Sequence, residues 1–173
     1  GEMEIVVNDT NILIDLYNAG LLSHCKRLDL DFRTLDVVIN EIEEREQLDA
    51  VEQLIGSGTL RVDSLSSNQV ERVFQMIGEY DGNCNLSPED ISVMVYAKDN
   101  NCRLLTGDKT LRAKAIIENI QVSGVLYLTD LMTKENVIDS CEMAKALELL
   151  LSSNCRLPHK LIQERIDWLR MLK

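Results

Sequence analysis

At 173 residues the chain has the length of one domain, and a chain of this size buries enough surface on folding to need neither disulfides nor a structural metal. Its net charge of −11 argues against broad binding of nucleic acid, which depends on Lys and Arg neutralising phosphates, yet it is compatible with a cluster of carboxylates that a cation would neutralise. No apolar run approaches the ~20 residues of a membrane span, and GEMEIVV has neither the basic region nor the cleavage site of a secretory signal, so a cytoplasmic location is expected. The cysteines are scattered without a CxxC and histidines are scarce, which gives no zinc signature; reduced thiols suit the same compartment. Neither His24 nor His159 stands in a pattern of nucleophilic catalysis, and both read as surface or structural groups.

Strand-like and helical runs alternate, the pattern of an α/β chain with a parallel sheet flanked by helices. The first strand is expected over 4–8, then a helix over 11–19 stopped by Gly20, then a strand over 32–37 weakened by Asp36. From 39 to 55 the pattern is long and amphipathic, with Ile39, Ile42, Leu48, Val51 and Leu54 on one face and GSG ending it. A short strand over 60–65 precedes a helix over 69–80, which Ser67 can cap, and a turn over 81–85. Ser87 as N-cap and Pro88 as first helical residue predict a buried helix over 88–99. CRLLTGD is the next strand, followed by a helix over 109–118, a short fifth strand at Val122, and helices over 125–133, 139–152 and 159–171. No linker breaks the chain, so 1–173 reads as a single domain with 137–173 as a helical C-terminal extension. The late helices carry many apolar positions: Val125, Leu126, Leu128, Leu131, Leu147, Leu149, Leu150 and Leu151. Either some of them lie at a subunit or partner interface, or 139–152 packs over the sheet.

Four acids fall where a strand-like run gives way to a loop or helix: Asp9 after IVVN, Glu41 after VVIN, Asp90 in SPEDISVMVYA and Asp108 after CRLLTG. Carboxylates at the carboxyl ends of strands face the crevice where ligands of open parallel sheets bind. Hard oxygen ligands converging there are what Mg²⁺ or Mn²⁺ requires. Each acid has an ordinary alternative. Asp9 and Asp108 suit helix N-caps, Ser87 and Asp90 have the spacing of a capping box, and Glu41 is one of several charges in NEIEEREQLD. Glu41 is singled out by lying near the strand end, whereas Glu43 and Glu44 are carried further round the helix. Gly107 permits a tight turn that brings Asp108 to the crevice. Lys98, Arg103, Lys109, Arg112 and Lys114 surround Asp108 in sequence, either as a solvated face pairing with Asp99 and Glu118 or as a rim that steers phosphates. The set of acids, more than any member, points to a metal-dependent nuclease.

These residues resemble the PIN-domain ribonuclease superfamily, which includes toxins of bacterial and archaeal toxin–antitoxin pairs. VVNDTNILIDL resembles its first motif, a strand ending in Asp followed by Thr or Ser and Asn, and VVINEIEE resembles the second, with Glu41 as the acid. LSPEDISVMVYAKDNNCRLLTGDKTLRAKA supplies the third and fourth acids as Asp90 and Asp108. VSGVLYLTDLMTKENVI and LPHKLIQERIDWL are similar to the C-terminal part of a mostly prokaryotic PIN subgroup, which often carries Glu where Asp90 stands.

The resemblance implies a three-layer α/β/α fold with sheet order 3-2-1-4-5 and hydrolysis of RNA phosphodiester bonds. It also implies a small antitoxin as partner, and a homodimer. Asp9, Asp90 and Asp108 are then expected to ligate Mg²⁺ or Mn²⁺, while Glu41 completes the shell or orients the attacking water. Asn11 and Thr106 are expected to fix loop geometry by hydrogen bonds, and Lys109 and Arg112 to meet the substrate. The rival from another class is a non-catalytic PIN-fold scaffold or protein-interaction module, disfavoured because such a module has no need to cluster charges that repel. A receiver-like phospho-acceptor domain would show adjacent acids after the first strand and a Lys after a late one, where this chain has Asn8-Asp9 and no such Lys.

Overall fold

A computed structural model describes residues 3–80 and 85–172. Its centre is β1 (Glu4–Asn8), in which the fully buried Val6 and Val7 point to opposite sides, as the period of a strand requires. β1 pairs in parallel with β2 (Leu30–Leu35) and with β4 (Arg103–Leu105). β3 (Leu60–Asp63) adds beyond β2 and β5 (Val122–Ser123) beyond β4, also in parallel, giving the order β3-β2-β1-β4-β5. This is the sheet order that the PIN resemblance implies.

Two apolar cores sit on the two faces, so the strands are buried on both sides. On one face Val6, Phe32 and Leu105 join a core with α1 (Thr10–Asn18), α3 (Arg45–Gly56), α7 (Val125–Lys134), α8 (Ser140–Ser153) and α9 (His159–Met171). On the other, Val7, Leu35 and Leu104 pack with α5 (Pro88–Asp99) and α6 (Lys109–Ile117). α4 (Ser67–Tyr80) lies outside α5, where Val73 meets Ile91 and Val95. The result is the three-layer α/β/α arrangement.

The chain departs from its expected elements in places that matter for the site. The second strand ends at Leu35, because Asp36 turns its side chain to accept from the Val37 amide (2.8 Å) and opens the four-residue α2 (Asp36–Ile39). The long helix expected over 39–55 is broken: the backbone turns through 40–42, Glu44 is extended, and α3 restarts at Arg45. The periodicity concealed this break, since Ile39, Ile42, Leu48, Val51 and Leu54 all reach the same core despite it. An unbroken helix would also stack Glu41 and Glu44 one turn apart, a like-charge pair that disfavours it. Ser66, one residue before the expected cap, starts α4: its hydroxyl accepts from the Gln69 amide (3.3 Å) and Gln69 Oε1 accepts from the Ser66 amide (2.8 Å). A 3₁₀ segment at Leu22–Arg27 was not legible in the sequence, and the strands expected over 60–65 and 102–108 are shorter. Most of the turn expected over 81–85 lies outside the described residues.

The apolar surplus of the late helices is spent largely inside the chain. Val125, Leu128, Leu147 and Leu150 are buried in the first core, Leu126, Leu131 and Leu151 are packed against it, and Leu149 remains 52% exposed. α8 packs on α1 and α9. No described helix is long and apolar enough to cross a membrane.

Leu105 is fully buried in the strand that leads to the site. Leu105→Ala is expected to cost about 2–5 kcal/mol in urea-induced unfolding. Ile117→Ala, at a position 71% exposed, is expected to stay within about 0.5 kcal/mol of wild type.

Candidate active site

Asp9 follows β1 and is 3% exposed. Its amide donates to the Leu105 carbonyl (2.9 Å), carrying the β1–β4 pairing one residue past the strand. Asp9 Oδ1 accepts from the Thr10 amide (2.8 Å), making Asp9 the N-cap of α1, and Oδ2 accepts from the Thr106 hydroxyl (2.8 Å). The same hydroxyl accepts from the Asp108 amide (3.1 Å), and Asp108 Oδ1 accepts from the Leu111 amide (2.9 Å) as N-cap of α6. Thr106, fully buried, is therefore hydrogen-bonded to two acids at once. Gly107 contributes less than its type suggested: its backbone is not left-handed, and an added Cβ would meet nothing within 4 Å. The turn is held by the Thr106 hydroxyl, not by glycine freedom.

Asp90 forms the expected capping box with Ser87. Its Oδ2 accepts from the Ser87 amide (3.0 Å) while its own amide donates to the Ser87 hydroxyl (3.1 Å), starting α5 behind Pro88. Glu41 stands in the turn between α2 and α3, not on a helix as expected, and the Thr10 hydroxyl donates to its Oε1 (2.9 Å). Thr10 thus links Asp9 and Glu41, a contact that was not singled out from the sequence. Asn11 is exposed and, among the described residues, its side chain has no hydrogen-bond partner; it lines a groove instead.

The acids act on one another. Burial pushes Asp9 up to about 6, the charges of Asp90 and Glu41 add to this, and the hydrogen bonds from Thr106 and Thr10 oppose it. Glu41 is raised first by burial, then by Glu89 and Asp90, against the Thr10 hydrogen bond. Asp90 is raised first by burial, against the Ser87 hydrogen bonds, with Asp108 and Glu89 adding. Asp9, Glu41, Asp90 and Asp108 therefore share one electrostatic neighbourhood at the carboxyl end of the sheet. Glu89 belongs to it too and was not singled out from the sequence, where its one signal is adjacency to Asp90 in SPED.

The basic residues near Asp108 divide. Lys98 pairs with Glu118 (2.6 Å), Arg103 pairs with Glu4 (3.0 Å) and stacks over Tyr127, and Lys114 lies over the Tyr80 ring. Asp99 is taken by Arg72. Lys109 and Arg112 are exposed and have no acidic partner among the described residues; both line a groove of about 530 Å³ beside the acids. An adjoining groove of about 710 Å³ includes Asn11, Asp108 and Lys109.

The donor set fits a hard divalent ion, because it is all carboxylate and its members raise one another, a repulsion that a cation relieves. Among the described residues no group of three His, Cys, Asp or Glu side chains is arranged to hold an ion as it stands. One or two carboxylates with waters and substrate phosphate are the environment that Mg²⁺ commonly takes, so the set remains suited to it.

The chain belongs to the PIN-domain family, whose model matches residues 5–170. Among solved structures it is similar to a chain of VapBC2 from Rickettsia felis, bound to a DNA fragment from the promoter, with a TM-score of 0.49 at 16% identity over 69% of this chain and 98% of that one. It is also similar to FitAcB from Neisseria gonorrhoeae, with a TM-score of 0.43 at 12% identity over 68% of this chain and 95% of that one. Likeness at that distance carries nothing about activity or partner. A search of curated proteins gives no match.

The raised Asp9 makes a stability prediction with a definite sign. The folded protein keeps a proton that the unfolded chain, with its carboxyl at 3.8, releases as pH rises toward about 6. Stability from this group is therefore lost across that window and flat above it. At ~1.4 kcal/mol per pKa unit the loss is of order 3 kcal/mol. Asp9→Asn keeps an acceptor for the Thr10 amide and carries no charge, so its advantage over wild type in urea unfolding should grow between pH 4 and pH 7. A constant difference across that range would show that Asp9 is not the group responsible.

Proposed function

We propose that the protein is a metal-dependent endoribonuclease acting in the cytoplasm, the toxin of a toxin–antitoxin pair. The observation that carries this reading is the set of carboxylates around Asp9 that raise one another and that no Lys or Arg among the described residues lowers, in a chain of the PIN-domain family. Asp9, Asp90 and Asp108, with Glu41 at the edge, would hold one or two Mg²⁺ or Mn²⁺ ions. Bound metal supplies a water of lowered pKa and neutralises charge developing on the phosphodiester.

The remaining work belongs to the chain. Thr106 and Thr10 hold Asp9 so that a cation meets an ordered carboxylate, and Thr106 sets Asp108 in the same register. Glu41 is the most solvent-open of the four, and with Oε1 engaged by Thr10 its Oε2 is left to orient the attacking water and take its proton. The water oxygen bonds to phosphorus as a ribose oxygen leaves and is protonated. Lys109 and Arg112 steer the flanking phosphates. The reading treats 1–173 as a single PIN-like domain with 137–173 as a helical extension. A homodimer and a small antitoxin are its partners, and the exposed Leu149, Trp168 and Met171 are the remaining apolar surface for either. The second reading, a non-catalytic PIN scaffold, has no use for a carboxylate set in this state.

Mn²⁺ and Mg²⁺ should raise the melting temperature of wild type, by up to about 3 kcal/mol of stability at a hundredfold excess over Kd. Asp108→Asn should respond much less; an equal response would locate the ion elsewhere. For activity, a pool of cellular RNA is incubated with wild type, Asp9→Asn and Asp90→Asn, in Mn²⁺ and in EDTA. Cleavage by wild type with Mn²⁺ is expected to fall by about two orders of magnitude or more in either variant and to vanish in EDTA. Neither cleavage nor metal binding under any condition would replace the enzyme by the scaffold.

A further inference from the structure

We propose that the turn between α8 and α9, residues 154–158, is the far bank of a groove that takes single-stranded RNA. Arg156 contacts the phosphates opposite Lys109 and Arg112, and Asp15 and Asn154 are the clamp that holds the turn in place. The identity of the ligand rests on the ribonuclease reading; the groove and the clamp rest on separate residues.

The turn is fixed from several sides. Asn154 Nδ2 donates to Oδ1 of Asp15 in the last turn of α1 (3.0 Å), and Asn154 Oδ1 accepts from the Arg156 amide (3.0 Å). The Asn154 carbonyl accepts from the Leu157 amide (3.4 Å), and the Leu157 side chain is buried in the first core. Asp15 is 3% exposed and its other oxygen has no partner, a placement that costs desolvation. It stands at the end of α1 where the carbonyls already carry negative charge, and no cation acts on it. Such local rule-breaking marks functional positions. Asp15 is itself closed to a ligand, so its role is to hold Asn154. What the clamp presents is the Arg156 side chain, exposed and without an acidic partner among the described residues.

The two grooves beside the acids, of about 710 and 530 Å³, share Lys109, Arg156 and Leu157 in their walls and so run into one another. The first reaches Asp108, and the second extends to the β5–α7 turn and includes Arg112. At that turn a Cβ added to Gly124 would stand 3.2 Å from Arg112 Nη2, so the missing side chain lets the guanidinium lie against the turn. The free charge in these walls has one sign away from Asp108. Asp15 is shut off by burial, and Asp130 is engaged by Arg165 through Nε and Nη2 (2.8 Å each). Lys109, Arg112 and Arg156 have no acidic partner among the described residues.

Three unpaired cations on two banks match a polyanion whose charges recur along one chain. The wall between them is apolar, with Val125, Leu126 and Leu161, a surface that base faces can lie against without being read by hydrogen bonds. A single strand has base faces to offer, whereas a duplex stacks them inside and is recognised by its shape and backbone. An acidic peptide would satisfy the cations but then run into Asp108 and the acids beyond it. RNA brings to that end a phosphate that the ion proposed there would share.

The test measures binding of a short labelled single-stranded RNA of mixed sequence by fluorescence anisotropy, in EDTA so that no cleavage intervenes, over a series of salt concentrations. Arg156→Ala is expected to weaken binding about fivefold or more at low salt and to lower the slope of log K against log salt by about 0.7, one phosphate contact on a single strand. Lys145→Ala removes the same charge from an exposed position on α8 that lines neither groove, and is expected to stay within about twofold of wild type. Asn154→Ala, which opens the clamp, is expected to weaken binding, and to weaken it no further in a chain that already carries Arg156→Ala. A merely structural role for Asn154 would add its loss to that of Arg156, and this result overturns the clamp. No binding by wild type, equal behaviour of Arg156→Ala and Lys145→Ala, or a duplex of the same strand bound as tightly as the single strand overturns the groove. Displacement of the RNA by an equimolar acidic peptide assigns the groove to a protein partner and overturns the proposal. With Mn²⁺, Arg156→Ala is expected to raise KM for RNA and leave kcat close to wild type. Cleavage with an unchanged KM overturns the groove and leaves the nuclease. Arg156-dependent binding of single strands without cleavage supports the groove and removes the nuclease.

Discussion

The hydrogen bond from the Thr106 hydroxyl to Asp9 joins the two strand ends on which everything at this edge of the sheet depends. Asp9 is a nearly buried carboxylate with no cation beside it among the described residues, a placement that is costly unless hydrogen bonds take the place of water. Thr106 supplies one such bond and the Thr10 amide the other. Because the same Thr106 oxygen receives the Asp108 amide, the end of β4 and the start of α6 are placed relative to β1 by a single side chain. Thr34 and Asn8 brace the neighbouring side, the hydroxyl of Thr34 donating to the Asn8 carbonyl (2.9 Å) and Asn8 Nδ2 to the Arg33 carbonyl (3.1 Å).

The acids of the cluster also serve as the helix starts of this edge. Asp9 caps α1, Asp108 caps α6 and Asp90 closes the capping box of α5. Each helix N-terminus is equivalent to roughly half a positive charge. Three of them meet the acids of this edge. This accounts for how the carboxylates are kept together without ion pairs that would compete with an incoming cation. Capping and metal binding are not rival roles, since a cap engages one oxygen and leaves lone pairs for a ligand.

Much of this was legible in the sequence, and what was not has identifiable causes. The sheet order was implied by the PIN resemblance, and the helix-start positions of Asp9, Asp90 and Asp108 by strand-end placement and by motifs that carry their own capping chemistry. The break between α2 and α3 was hidden because the apolar period continues across it, so Glu41 lay on an expected helix when it stands in a turn. Thr10 went unassigned because its usefulness depends on Glu41 being brought from 31 residues away, a contact that no local pattern encodes. Gly107 was over-read, since residue type alone does not reveal a φ. The apolar excess of the late helices was real, but α8 covers α1 and packs with α9, a packing choice that composition leaves open.

Under the proposed function, the −11 charge and an RNA substrate are reconciled by where the cations go. Lys98, Arg103 and Lys114 are tied into pairs and ring contacts that hold the fold together, whereas Lys109, Arg112 and Arg156 remain on the groove rims. The net negative charge disfavours a polyanion overall, and the rim cations offer capture at the edge where the acids lie. That edge is itself negative until a cation occupies it. On that proposal metal and RNA would be thermodynamically linked: an ion bound at the acids would lower the repulsion that a phosphate meets, and by reciprocity a phosphate would raise the affinity for the ion. Under the proposed function, an acidic protein of this build gains selectivity from the weakness of its nonspecific binding. Only an RNA whose phosphates reach the rim cations and the metallated acids together is held long enough to be cut.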